Sequence, residues 1–591
     1  MFLRVKERKK NGKIHRYWSI VENRRVGDGR VVQRHVLYLG ELNDAQRAGW
    51  IRAVDALSST PNASRQLALF PDDVRSLPKV DCEVVRIRLD GIELRRPRQW
   101  GACWLAVKLW DMLELDGFWG DRLGCSRKGT RWLNVLKTLV AYRLIDPGSE
   151  WRLHREWFDR SAMGDLLGEG PAVAGKNTLY RCMDHLLEHR DDLFTHLSQR
   201  WRHLFNAGHD VLLYDLTSTY FECDAPEDAD GLRRFGYSRD HRPDCVQVVI
   251  ALVVTPDGFP LGYEVYPGNT QDHGTLRDFL DRIEAQYGRA NRIWLMDRGV
   301  PTEQTLAEMR EEGTLYLVGT PKGRLTKLER KLLDLPWHHA RRHVRVKLLE
   351  QDGEFYVFVE SADRVAKERA MRRRRLKRLL RRLHQLREMS QTRDQLLMRL
   401  GQARKLAGRA WSLVEITLPE ADQKVTAETF TFRINRKKLR QRRRREGRYL
   451  LRSNVQKDSP ESVWEKYILL TQVEQAFKDL KADLALRPVY HQRDRRIESH
   501  IFVSFLSYCL FVTLRNLLKP SAPGLTPRSV LEKLSAMQMV DVHLPTTDGR
   551  TILLQRYTQP ERETQLLLEV LNLPLPDQSP PRICSTTPGP L

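Results

Sequence analysis

Apolar and polar side chains alternate along residues 1–45, as in HRYWSIVE and RHVLYLGEL on either side of the Gly-rich VGDGR, and this period of two predicts a small β-meander. Residues 46–95 lose the alternation and read as a linker around SSTPNAS. Between about 100 and 205 the apolar residues recur at three- and four-residue intervals, in GACWLAVKLWDMLELDGFW and WLNVLKTLVAYRLI, until Pro147 and Gly148 break the run. That pattern predicts a helical bundle, and its place ahead of the strands that follow makes it a candidate DNA-binding element.

Short apolar runs come next. VLLYDL (211–216), VQVVIALVV (246–254) and FPLGYEVYPG (259–268) are long enough for buried strands and too short for helices, and TPDG joins the second to the third as a hairpin. TLRDFLDRIEAQY (275–287) is an amphipathic helix, RIWLMD (292–297) a fourth strand, TEQTLAEMREEG (302–313) a second helix and LYLVGTP (315–321) a fifth strand. Three strands followed by helix, strand, helix and strand predict a mixed α/β layer that opens with a hairpin and continues through crossover helices.

From 340 the pattern changes. VRVKLLEQDGEFYVFVES reads as a β-hairpin and Asp363 to Ala410 as a pair of helices. Twelve basic residues and one acidic residue, Glu368, lie between Arg364 and Arg387, beside an apolar stripe of Leu376, Leu379, Leu380, Leu383 and Leu386. RKKLRQRRRREGR (436–448) is a second basic run. The block 340–445 reads as an insertion in the α/β domain. It is either a DNA-contacting arm, since clustered arginines match phosphate geometry, or a solvated charged helix. Helices resume at about 461–485 and 499–518, and the Pro- and Ser-rich tail after 570 predicts disorder. The resulting segments are 1–95, 96–205, 206–339, 340–445, 446–570 and 571–591.

Charge sharpens this picture. Lys and Arg number 100 against 76 Asp and Glu, a net +24, which favours a polyanionic partner because neutralised phosphates release counterions. The eight cysteines form no CxxC pair and suit a reducing cytoplasm. MFLRVKERKK lacks the apolar stretch of a signal peptide, and Ile501 to Leu518, the most apolar run, contains Arg515 and Asn516 and reads as a buried core helix, so no membrane partner is expected.

Candidate chemistry starts with Asp215, near the end of the first predicted strand, and Asp297, at the end of the fourth. Neighbouring strands would bring both carboxylates to one edge, and paired carboxylates with hard oxygen ligands suit Mg²⁺ or Mn²⁺; each aspartate alone reads first as a strand-end or capping residue. Tyr467, Glu474 and Lys481 fall seven residues apart, nearly two helical turns, beside a stripe of Leu470, Val473, Phe477, Leu480 and Leu484. Alone, that row reads first as a solvated face with Glu474 and Lys478 as an ordinary i,i+4 pair. His241, His273 and His500 are weaker candidates, and the polar run Gly236 to Asp244 is a candidate DNA contact. No GxxxxGK[ST] or GxSxG motif occurs, which argues against ATP-driven or serine-nucleophile chemistry.

Taken together, LLYDLTSTYFE, GYSRDHRPDCVQVVIALVVTPDGFPLGYEVYPGNTQD, IWLMDRGV and YILLTQVEQAFKDLK resemble bacterial insertion-sequence transposases of the DDE class, IS-four type. The resemblance covers roughly 205–330 and 445–520 and is weak in the first 100 residues. The branch has a Tyr–Arg–Glu–Lys signature; here Tyr467, Glu474 and Lys481 match it, and Leu470 stands at the Arg position. The 176 residues between Asp297 and Glu474 also resemble this branch, in which a β-rich insertion precedes the acidic helix.

The resemblance implies a ribonuclease H-like catalytic core, interrupted by the β-rich and basic insertion and preceded by a small β domain and a helical domain. It implies Asp215, Asp297 and Glu474 as ligands of two Mg²⁺ ions, with Mn²⁺ as a substitute. Tyr467, Lys481, Lys478, Arg487 and Arg298 become candidate DNA contacts. The implied activity is cut-and-paste movement of DNA between terminal inverted repeats and a target, by a homodimer, with a hairpin intermediate left open. A ribonuclease H-like nuclease without strand transfer, and an inactive DNA-binding descendant, remain alternatives on the residues alone.

Overall fold

A computed structural model describes residues 2–10, 13–25, 31–42, 46–47, 50–51, 85–125, 129–223, 231–240, 242–271, 275–288, 292–297, 299–320, 328, 331, 335–421, 423–455, 458–487 and 489–584. The chain forms two compact units. The first comprises Met1–Lys6, Arg16–Ala290 and Thr471–Leu591; the second comprises Glu7–His15 and Asn291–Leu470.

The strands β1 (Phe2–Lys10), β2 (Lys13–Arg25) and β3 (Val31–Glu41) form a three-stranded sheet in sequence order. Its β2 and β3 run antiparallel from Tyr17 opposite Glu41 to Arg25 opposite Val31, and their alternation buries Ile20, Leu37 and Leu39. The turn VGDGR and most of the expected linker lie outside the described residues.

Residues 93–99 depart from the linker reading. They form β4 (Glu93–Gln99), paired antiparallel with a C-terminal strand. Helix α1 (Gly101–Met112) follows, then α2 (Trp132–Ile145), which is buried without interruption from Val135 to Ile145, and α3 (Arg190–Phe205). A helix buried on all sides belongs to a core, so α2 is a packing element and presents no exposed recognition face.

The strands β5 (Val211–Tyr220), β6 (Gln247–Val254) and β7 (Pro260–Pro267) are antiparallel neighbours, and α4 (Leu276–Tyr287) follows them. All eight residues of β6 are buried. The β6–β7 turn closes at Gly258, whose φ of +86° suits glycine, with its N–H donating to Thr255 O (2.9 Å). Asp215 stands mid-strand, opposite Leu252, and not near the strand end as expected. The strand runs on through Leu216-Thr217-Ser218-Thr219-Tyr220, because β-branched and aromatic residues favour the extended backbone.

In the second unit β8 (Ile293–Met296), α5 (Glu303–Glu311) and β9 (Leu315–Gly319) make a parallel crossover. After it come β10 (His338–Arg341), β11 (Val344–Gln351) and β12 (Glu354–Ser361). Next are α6 (Ala362–Glu388), α7 (Arg393–Ala407), β13 (Val414–Thr417), β14 (Thr431–Ile434) and α8 (Arg436–Arg444). The strand β15 (Arg448–Ser453) and α9 (Pro460–Ile468) complete the unit. The sheet order within this unit is β10-β11-β12-β15-β9-β8. The expected insertion at 340–445 is therefore divided: β11 and β12 belong to the same sheet as β8 and β9, and only 362–445 stand apart from it. Glu354 ties β12 to β15 and to α5, accepting from Arg452 Nε (2.7 Å) and Arg310 Nη1 (2.6 Å). Burial opposes its charge, but the hydrogen bonds from Arg452 and Tyr316 hold its carboxyl below the usual range.

Beyond α9 the chain continues through α10 (Leu470–Lys478), a π-helical turn (Asp479–Asp483) and α11 (Asp494–Ser521). The π turn and α11 both lie in the first unit. Among the described residues α11 is the one helix long and apolar enough to cross a membrane, and 89% of that stretch is buried. It packs on α2, where Ser507 Oγ donates to Val140 O (3.0 Å). The strands β16 (Gln538–Pro545), β17 (Thr551–Tyr557) and β18 (Arg582–Cys584) complete a four-stranded sheet with β4 in the order β18-β17-β16-β4. The segment 571–584 is thus not wholly without structure: β18 pairs with β17, and Tyr557 Oη donates to Pro576 O (2.5 Å). Residues 585–591 lie outside the described residues.

Candidate active site

Each predicted carboxylate has a definite local setting. Asp215 is half-buried on β5, and its Oδ1 accepts from Leu216 N (2.8 Å). Asp297 directly follows β8 and is exposed, and its backbone O accepts from Val300 N (3.2 Å). The carboxyl ends of parallel strands are where α/β folds place reactive groups. Glu474 lies on α10 and is exposed, at the border of the buried stripe, with Leu470 one turn before it and Phe477 one turn after it. Asp215 and Glu474 belong to the first unit and Asp297 to the second.

The single helix expected over 461–485 is in fact two α-helices and a π turn. The break at Leu469 separates Tyr467 on α9 from Glu474 on α10. Lys481 sits inside the π turn, where the wider winding takes it off the seven-residue period. Two interactions hold that turn. Asp479, buried, ion-pairs with Arg515 of α11, and Gln475 Nε2 donates to Asp479 Oδ1 (2.6 Å). Burial lowers the Arg515 guanidinium to about 10. Leu470, at the signature's Arg position, is buried and belongs to the apolar stripe.

Of the expected DNA contacts, the structure brings Lys481 and Arg487 together on one carboxylate, Asp240. Lys481 Nζ lies 3.1 and 3.2 Å from its two oxygens and Arg487 Nη1 lies 2.5 Å from Oδ2. Burial draws the Lys481 ammonium below its usual range against the pull of Asp240. Asp240 belongs to the polar run 236–244. Arg242 folds that run back, reaching Glu222 and Asp244 (2.9 Å each), and Arg242 and Arg487 both face the Tyr220 ring, at 4.9 and 5.4 Å. Lys478 is exposed. Tyr467 is half-buried, its ring 5.8 Å from that of Tyr449, which accepts from Trp464 Nε1 (2.8 Å). Arg298, His241 and His273 lie outside the described residues.

Sequence reasoning missed a buried cluster behind the π turn, of which only His500 had been singled out. Among the described residues, Glu150, His491 and His500 form the one group of three whose ligand atoms lie within 4.8 Å of one another. His500 Nδ1 is 3.3 Å from Glu150 Oε1, and His491 Nε2 is 3.5 Å from Glu150 Oε2. Arg143 Nη2 stands 3.4 Å from both Glu150 Oε1 and His500 Nδ1, where a metal cation would sit. The donor set therefore does not fit a resident metal. It is a charge network that also grips the chain just past the π turn: Arg143 Nη1 donates to Ala485 O (3.2 Å) and His500 Nε2 lies 3.3 Å from Leu486 O.

Burial and then Arg143 push His500 down to about 4, while Glu150, although buried, is held well below the carboxylate range by His491, His500 and Arg143. The ring is thus neutral near pH 7. The unfolded chain takes up a proton near 6.5 that the native state refuses until about 4, so stability falls as pH drops through that window. The loss should approach about 3 kcal/mol in all, and His500→Gln should flatten the profile between those limits when unfolding is followed by denaturant titration. An unchanged slope in that variant would assign the acid sensitivity elsewhere.

Comparison with known proteins gives two family matches. The transposase DDE domain matches residues 208–510, and the N-terminal domain of IS1634 family transposases matches residues 3–61. The second match falls where the motif resemblance is weakest. No curated protein matches. Among solved structures, the piggyBac transposase synaptic complex with hairpin DNA aligns with a TM-score of 0.34 at 9% identity, over 75% of this chain and 82% of that one.

Proposed function

Because this chain belongs to the DDE-domain transposases, enzymes that cut DNA and transfer strands with divalent metal ions, we propose that Asp215, Asp297 and Glu474 are its metal ligands. What supports the assignment is the span of the family match: residues 208–510 contain all three carboxylates together with Tyr467, Lys481 and Arg487. The donor chemistry fits, since carboxylate oxygens on strand and helix are the hard ligands that Mg²⁺ prefers. When bound, two such ions would supply activation of the attacking oxygen and charge neutralisation at the leaving one.

In this reading the core is ribonuclease H-like and the chain is of the IS-four type. It works as a homodimer on terminal inverted repeats and target DNA, by cut-and-paste. Water attacks the phosphate at the element's end, the bond to the 3′ oxygen breaks, and a 3′ hydroxyl is freed. That hydroxyl then attacks a target phosphate, displacing the target's own 3′ oxygen. Tyr467 and Lys478 contact the backbone near the cut. Lys481 and Arg487, held on Asp240 at rest, exchange that carboxylate for a phosphate.

The test uses an end duplex already carrying the free 3′ hydroxyl, mixed with target DNA and Mg²⁺. Joined product is expected, growing with metal concentration. Hydrolysis of uncut ends with no joining of pre-cut ones would make the protein a nuclease of the same fold and remove the transfer step.

A further inference from the structure

We propose that residues 362–445 form a sequence-independent grip for duplex DNA, and that this arm holds most of the chain's attraction for the phosphate backbone. The inference does not depend on which carboxylates bind metal. Over 362–445 there are 27 Lys and Arg against 8 Asp and Glu, an excess of 19 within a whole-chain excess of 24. Like charges so crowded repel one another, and the arm gains nothing in stability from most of them.

The arm is folded on its own core. Leu376, Leu379, Leu383 and Leu386 of α6 meet Leu396 and Leu400 of α7, and Phe430 closes the cluster. With the apolar stripe of α6 spent inside, the helix has no apolar face to lay into a lipid interface, which removes the membrane-surface reading of its charge. The outer faces are basic. Arg373, Lys377, Arg378 and Arg381 are all exposed, and α8 adds exposed Arg436, Lys437, Lys438 and Arg440. The two basic helices belong to one piece, because Leu439 of α8 packs against the leucine cluster and Glu446, two residues past the end of α8, is buried and pairs with Arg372 of α6.

Geometry suits the duplex. The 27 residues of α6 span roughly 40 Å at 1.5 Å per residue. That length covers about a dozen phosphates on one strand. Ten of the twelve basic residues between Arg364 and Arg387 are arginine, whose planar fork pairs with phosphate oxygens. Nothing in this surface selects bases: it is a stripe of charge on a convex helix.

The experiment measures binding of the full-length protein to a duplex without the element's ends, by fluorescence anisotropy, across about 50 to 200 mM KCl. The variant Arg373→Gln/Lys377→Gln/Arg378→Gln/Arg381→Gln should flatten the log–log salt slope by about 3 to 4, and weaken binding at physiological salt on the order of a hundredfold or more, equally for any sequence. The matched variant Arg373→Lys/Arg378→Lys/Arg381→Lys should keep the wild-type slope, since charge is retained. An unchanged slope in the glutamine variant overturns the proposal. So does an equal loss in the lysine variant, or tighter binding of the wild type to phosphatidylserine–phosphatidylcholine vesicles than to the duplex. Cleavage at saturating protein and low salt should persist in the arm variants. Carboxylate variants should lose cleavage and keep the salt slope, so the two readings fail separately.

Discussion

Asp215→Asn, Asp297→Asn and Glu474→Gln should each reduce end cleavage on the order of a thousandfold or more, while leaving DNA binding and thermal unfolding near wild type. The size follows from what a metal ligand controls. Charge stabilisation by a bound cation is worth several kcal/mol in the transition state, and each 1.36 kcal/mol is a factor of about ten in rate. The structure makes the folding cost small: Asp297 and Glu474 are exposed and Asp215 is half-buried, so none is a core residue whose loss opens a cavity. Single-turnover cleavage of a labelled end with Mg²⁺, alongside a melting curve, reads both quantities. Cleavage within tenfold of wild type in any one variant removes that residue from the ligand set.

The second large effect lies away from the chemistry. Arg143→Met should destabilise the first unit by about 3 to 5 kcal/mol, the usual result of leaving a buried charge without its partner. Arg143 is fully buried, and its removal strands the Glu150 carboxylate and the Ala485 carbonyl together. The double variant Arg143→Met/Glu150→Gln should recover part of that loss, since it removes both charges. Urea unfolding of the two variants gives the comparison. A double variant as unstable as the single one would mean that Glu150 is not the group stranded. A drop in cleavage that follows stability would mark the network as structural. A drop in cleavage beyond the stability loss would show that holding residues 485 and 486 positions the π turn behind Glu474.

The apolar runs that became β5, β6, β7, β8 and β9 were legible because buried strands need continuous or alternating apolar residues, and helices of the same composition need more length. The arm was legible from its leucine stripe. Strand β4 was not, because ELRRPRQ has no apolar alternation. It is held by its ladder to β16 and by Arg98, which is buried and reaches Asp541 (2.8 Å) and Asp165 (2.7 Å). Those partners lie 443 and 67 residues away, beyond any local pattern. The Glu150–His491–His500 cluster was hidden for the same reason, its members being up to 350 residues apart. The break at Leu469 and the π turn escaped notice because helical propensity continues across both, and a backbone that changes its winding leaves no mark in composition.

The two ends of the arm meet. Ser361 N donates to Gly447 O (3.1 Å), Glu360 pairs with Arg448 (2.7 Å), and β12 and β15 are immediate neighbours. Gly447, at φ +74°, sits so close to Ser361 O that a side chain there would have 2.7 Å to fit. A limb joined at so narrow a shoulder can be trimmed, lengthened or exchanged without re-threading the sheet that bears it. Evolution is thereby free to adjust how firmly such an enzyme holds its substrate while the cutting residues stay as they are.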